Sequence, residues 1–142
     1  MADCIFCKII NGEIPATKVF EDELVFAFLD IQPINPGHTL VIPKKHAGSL
    51  DELDEDLAGH LMKAAKKIGL SIRESGLKCE GVNLHVADGK VAGQEVPHVH
   101  LHVIPRFSGD GFGLKFGPGF GKSPSPEEMA DVAESIRKGL GD

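Results

Sequence analysis

An α+β fold is predicted, with a sheet of about five antiparallel strands, one long helix against it and short terminal helices. Three observations lead there. Short apolar runs separated by turn residues fall into two antiparallel pairs; one long stretch carries a helical period; and that helix interrupts the strand pairs rather than alternating with strands, as a parallel βαβ sheet would require.

The elements follow in order. Residues 4–11 (CIFCKIIN) suit one or two helical turns ending near Gly12, and Pro15 forbids continuation. Val19-Phe20 and Leu24 to Leu29, separated by Glu21-Asp22-Glu23, read as a hairpin. Asn35-Pro36-Gly37 is a turn, and His38 to Pro43 is a third strand. Leu50, Leu53, Leu57, Leu61, Ala64 and Ile68 recur every three or four residues, which predicts an amphipathic helix over about 51–75. Residues 81–87 form a fourth strand, Asp88-Gly89 opens a loop to Gly93, and residues 98–104 form a fifth strand closed by Pro105. Six glycines between Gly109 and Gly121 exclude regular structure there. Ser125-Pro126-Glu127-Glu128 then starts a C-terminal helix over 125–139 through a cap, a proline and first-turn acids.

The 142 residues make one domain of ordinary size, 1–142, with no repeat and no linker. A net charge of −6 and the lack of a basic stripe argue against a nucleic-acid partner. No apolar run is long enough to span a bilayer, so no membrane partner is expected. The opening Met1-Ala2-Asp3-Cys4 has no basic leader followed by an apolar stretch, so a cytoplasmic location is expected. Three cysteines are too few for a disulfide framework.

The most informative segment is Val96 to Arg106 (VPHVHLHVIPR). Side chains of a strand alternate faces, so His98, His100 and His102 share one face and Val99, Leu101 and Val103 the core face. Neighbouring histidines are then about 6.6 Å apart and the outer two about 13 Å apart along the strand, too far for one metal to hold all three. Three aligned histidines against an aliphatic face are a poor match to mere solvated decoration. A metal-dependent hydrolase built on an H-x-H pair would need a further acidic ligand and an open position, and no acid is obviously placed for it. Cys4 and Cys7 form a C-x-x-C pair, open to metal or redox chemistry; the βαβ context of a thioredoxin-like redox motif is missing.

His98-Val99-His100-Leu101-His102, preceded by Gly93-Gln94, resembles the signature of the histidine-triad nucleotide-binding family. The likeness extends to Phe28-Leu29-Asp30-Ile31, to Gly37-His38-Thr39-Leu40-Val41-Ile42-Pro43-Lys44 and to Cys4 through Ile10 with Glu13-Ile14-Pro15, so the core motifs span 4–106. Segments 107–124 and 125–139 lie beyond it. The resemblance implies that His100 attacks the α-phosphorus of a purine nucleotide and forms a nucleotidyl-histidine that water hydrolyses. An unprotonated imidazole, with one nitrogen bonded to a backbone carbonyl, is suited to that task. By the same resemblance His102 contacts phosphate, His38 supports the triad and Gln94 lies near the leaving group. Asp30 binds ribose hydroxyls, and Phe6, Ile9, Phe28, Ile31 and Leu40 wall the base, although Phe28 and Leu40 also suit plain core positions. Some members complete a structural zinc site with residues matching His46 and His98 beside Cys4 and Cys7, and the family pairs into a homodimer with a continuous sheet.

The expected activity is hydrolysis or transfer on purine nucleoside monophosphate derivatives, either phosphoramidates or adenylyl conjugates. The rivals are a dinucleoside polyphosphate hydrolase and a nucleotide- or partner-binding module with incidental turnover. Glu95 and Ala87 depart from the serine and asparagine common in the phosphoramidase branch, which bears on phosphate contacts; the Glu95 carboxylate is expected to point away from phosphate. Gly117 to Ser123 resembles a P-loop but is one residue short, follows no strand and runs into Pro124. Cys79, His60 and His85 carry no predicted role.

Overall fold

A computed structural model describes residues 3–141; Met1, Ala2 and Asp142, which the predicted 1–142 domain includes, lie outside the described residues. The chain divides into two compact units, one reaching to Phe112 and the other starting at Gly113. In the first unit the element order is α1 (Ile5–Ile10), β1 (Lys18–Glu21), β2 (Val25–Leu29), β3 (Thr39–Pro43), α2 (Glu55–Glu74), β4 (Gly81–Val86) and β5 (Leu101–Arg106). The five strands form one antiparallel sheet in the order β1-β2-β3-β5-β4. The predicted fold class therefore stands.

Strand alternation sorts the sheet's side chains into two apolar layers. On one face Val25, Ala27, Val41, Val99, Leu101 and Val103 pack with Leu57, Leu61, Ala64, Ala65, Ile68 and Ile72 of α2. On the other, Phe26, Phe28, Leu40 and Ile42 join Cys4 and Phe6 from the N-terminal segment. Both faces of the central strands are thus covered, and β2 and β3 read as nearly unbroken apolar runs for that reason. The histidine face was expected to be the open one. It is instead buried at His98 and His100, because α1 lies over them and sets Phe6 edge-on to His100, with ring centroids 5.2 Å apart.

Two boundaries differ from expectation. The long helix starts at Glu55, not 51: Asp54 is the cap, its Oδ1 accepting the Leu57 N–H at 2.8 Å, with Glu55 and Asp56 in the first turn. Leu50–Glu52 form a separate single 3-10 turn and Leu53 is extended. The fifth strand starts at Leu101 and runs through Pro105 to Arg106. His98 to His100 precede it as an irregular extension, pinned where the Val99 N–H donates to the Ala47 carbonyl at 2.7 Å. Pro105 is tolerated in the strand because the β3 pairing ends at Val103, so its missing N–H costs no β3–β5 bond.

The second unit comprises the glycine-rich stretch from Gly113 onward, without regular structure, in which Phe116 and Phe120 stack at 3.9 Å, and α3 (Pro126–Gly139). Ser125 and Glu128 form a reciprocal capping box at its start. No helix among the described residues is long and apolar enough to cross a membrane.

Candidate active site and metal cluster

The histidines gather at the junction of β3, β5 and α1, and their backbone contacts assign the ring protons. A peptide N–H can only donate and a peptide C=O can only accept, so each such contact fixes one imidazole nitrogen. His100 Nδ1 lies 2.8 Å from the His98 carbonyl, so Nδ1 carries the proton and Nε2 keeps its lone pair. His98 Nε2 lies 2.9 Å from the Pro43 carbonyl, which leaves the lone pair on Nδ1. His38 Nδ1 accepts the Ile34 N–H at 3.0 Å, so the proton sits on Nε2. That Nε2–H donates to His102 Nδ1 at 2.8 Å, and His102 in turn carries its proton on Nε2.

His98, His100 and His38 are buried, and His102 is half-buried beside Leu40 on one neighbour strand and His85 on the other. Burial pushes the pKa of His102 down to about 4, assisted by the positive ends of His100, His38 and His85. Burial also lowers His38, opposed by the Asp30 carboxylate, whose Oδ2 is 3.6 Å from His38 Nε2. Both rings are therefore neutral near pH 7 and act as directional donors rather than as cations.

At the other end, Cys4, Cys7, His46 and His98 place one ligand atom each within 4.8 Å of one another. The His98 Nδ1 lone pair faces Cys4 Sγ at 3.3 Å and Cys7 Sγ at 3.7 Å, and His46 Nδ1 is 3.4 Å from Cys7 Sγ. Ligands at the corners of a tetrahedron around zinc are roughly 3.3–3.8 Å apart, and these three separations fall in that range, so the donor set suits the metal. The bond from His98 to Pro43 is the second contact that orients a metal-binding imidazole. Asp30, His38 and His102 also cluster within 4.8 Å. That group does not suit a metal, since the Ile34 N–H occupies His38 Nδ1 and leaves a proton on the nitrogen facing the other two.

The remaining predicted residues divide. Phe6, Phe28 and Leu40 are buried in the second apolar layer and Ile9 is half-buried against it. Ile31 is 94% exposed on the turn after Asp30 and lines no part of that layer. Asp30 Oδ1 accepts the Gln32 N–H at 2.9 Å. Gln94 gives both amide hydrogens to backbone carbonyls, Gly48 at 2.8 Å and Val96 at 3.1 Å, and accepts the Gly89 N–H at 2.8 Å. Neither hydrogen is left for a leaving group in this arrangement, because the loop with Gly89 and Gly93 at positive φ uses the side chain as its strut.

Glu95 is exposed and Ala87 buried. His60 bonds Asp22 at 2.6 Å, and Cys79 packs against the first layer. Sequence reading missed Ile34, Asn35 and Pro43, which orient histidines through backbone atoms. Backbone groups leave no trace in residue type, although the Asn-Pro-Gly turn marks where such contacts begin.

The HIT domain family model matches residues 11–109. An adenosine 5'-monophosphoramidase of Schizosaccharomyces pombe is 41% identical over 134 residues, covering 94% of this chain and 95% of that protein. The crystal structure of a HIT family member from Bacillus subtilis superposes with a TM-score of 0.90 at 43% identity over 99% of both chains. A zinc-bound histidine triad protein from Mycobacterium smegmatis gives 0.76 at 37% identity, covering 98% of this chain and 96% of that one. With motifs, sheet order and relatives in agreement, this chain belongs to the HIT family.

Proposed function

We propose that the protein hydrolyses or transfers purine nucleoside monophosphate derivatives, phosphoramidates or adenylyl conjugates, through a covalent nucleotidyl intermediate on His100. The observation that carries the reading is the 2.8 Å contact between His100 Nδ1 and the His98 carbonyl, which leaves Nε2 as a nucleophile in a fixed direction. The Nε2 lone pair forms the bond to the α-phosphorus while the bond from phosphorus to the leaving nitrogen or oxygen breaks. The His102 Nε2–H, held by the donor from His38, hydrogen-bonds a phosphate oxygen and stabilises the charge there, and the leaving group takes its proton from solvent water. Water then cleaves the phosphorus–nitrogen bond, releasing the nucleoside monophosphate and the free imidazole. The relationship to a protein named as a monophosphoramidase supports the substrate class.

In the same reading Asp30 accepts from the ribose hydroxyls. Phe6, Ile9, Phe28 and Leu40 flank the base, and Ile31 meets it only from the rim. Cys4, Cys7, His46 and His98 hold a structural zinc, which when bound supplies a rigid cross-link between the N-terminal segment and the β5 approach. Unpaired thiols suit a reducing, cytoplasmic compartment. A second copy pairs along the outer edge of β4, a six-residue edge strand exposing Leu84 and Val86, to give a homodimer with a continuous sheet.

Mass spectrometry after quenching with an adenosine phosphoramidate tests the chemistry. An AMP adduct should form on the native protein and vanish in His100→Ala, with turnover reduced at least about 10³-fold. Full hydrolysis by His100→Ala removes the nucleophile from this account. A panel adding dinucleoside polyphosphates ranks the leaving groups by kcat/KM. Nucleotide binding without adduct or turnover identifies a binding module instead.

A further inference from the structure

The turn that presents His38 is tied to a buried polar clamp outside the histidine cluster. Asn35 is 6% exposed, and its side chain gives one amide hydrogen to the Pro105 carbonyl at 2.8 Å and the other to Asp110 Oδ2 at 2.9 Å. The Asp110 side chain is 3% exposed and gathers donors on both oxygens. Arg106 reaches it with Nε at 2.6 Å and Nη2 at 2.9 Å, and the Phe107 and Phe112 N–H groups at 3.3 and 3.2 Å. Arg106 also donates to Asn83 Oδ1 at 2.6 Å and to the Phe112 carbonyl at 2.5 Å. A buried carboxylate this fully paired holds its neighbours in one arrangement.

The clamp reaches His38 through the backbone on both sides of Asn35. The Asn35 carbonyl accepts the His38 N–H at 3.0 Å, and the adjacent Ile34 N–H fixes the His38 ring at Nδ1. Gly37 completes the turn at φ +98°, where a Cβ would meet Leu77 Cδ1 at 3.0 Å and Pro105 Cγ at 3.2 Å. The turn is therefore wedged against the same strand residue that Asn35 bonds. From these contacts we infer that Asn35, held by Asp110 and Arg106, is a positioning residue that sets the tautomer and aim of the His38–His102 pair. The inference rests on the reading of the site given above, and it adds residues that touch neither substrate nor the reacting imidazole.

The test uses the full chain and two variants, Asn35→Ala and Asp110→Asn, with two readouts. Long-range proton–nitrogen spectra of the imidazoles, recorded without nucleotide, should show the native His38 ring with its proton on Nε2. In both variants His38 and His102 should move to tautomer mixtures while His98 keeps its native pattern. With an adenosine phosphoramidate, kcat should fall by about 10- to 100-fold while KM changes by less than about threefold. A lowered melting temperature with all imidazoles in the native tautomers and kcat unchanged overturns the inference. Should Asn35→Ala fail to fold, the near-isosteric Asp110→Asn decides alone. Should the native protein turn over no nucleotide, the proposed hydrolase falls while the spectra still decide on positioning.

Discussion

Among the described residues two clusters of metal-ligand residue types flank His100, each with its ligand atoms within 4.8 Å of one another, yet only one suits a metal. Around Cys4, Cys7, His46 and His98 the Pro43 carbonyl draws the His98 proton to Nε2 and turns a lone pair toward the thiols. Around Asp30, His38 and His102 the Ile34 N–H takes the His38 lone pair and turns a proton toward its partners. A backbone acceptor makes one imidazole a ligand, and a backbone donor makes the other a hydrogen-bond donor. Residue type and distance alone do not separate the two cases; the peptide group behind each ring does.

The largest expected effect tests the metal side. Cys4→Ser and Cys7→Ser should lose bound zinc, by elemental analysis, and melt roughly 10 °C lower or more, since a structural zinc contributes several kcal/mol. Asp30→Asn should keep its metal; an equal loss there would erase the distinction between the clusters.

An intermediate effect concerns acid. His102 titrates near 4 when folded and near 6.5 when unfolded, so between those values the unfolded chain binds more protons. Its contribution is complete above about pH 6.5 and is lost as pH falls toward 4, and the lowered His38 acts in the same direction. The unfolding free energy from urea titrations should drop across that window by on the order of 1–3 kcal/mol, and His102→Asn should flatten the drop. A variant that keeps the native slope would place the acid sensitivity elsewhere.

The smallest effect is Asp30→Asn on catalysis. KM for an adenosine substrate should rise several-fold, about the 1 kcal/mol by which a charged acceptor exceeds the neutral amide that replaces it, with kcat changed less. A reversed split would make Asp30 a partner of His38 rather than of ribose.

Most of the frame was legible because it rests on period and punctuation. The five strands, the long helix and the Ser125 cap each follow from spacing or a capping residue. The start of the long helix was misplaced because Leu50 and Leu53 keep the helical period, whereas the boundary is set by the Asp54 cap, a polar residue that apolar spacing does not register. The histidine alternation was legible, but its burial was not: coverage by α1 depends on where Phe6 lands, a tertiary fact. Gln94 shows a related limit, since an amide side chain does not announce whether its hydrogens serve a ligand or a loop.

The arrangement of Val99, Leu101 and Val103 under α2, with His98 and His100 under Phe6 of the N-terminal segment, leaves no spare face from His98 to Leu101. A single-residue insertion or deletion between His98 and Leu101 would exchange the two sets, driving imidazoles beneath the long helix and aliphatics among the thiols. Such a change would cost core and chemistry together. Over this stretch the chain can diversify only by substitution at constant length.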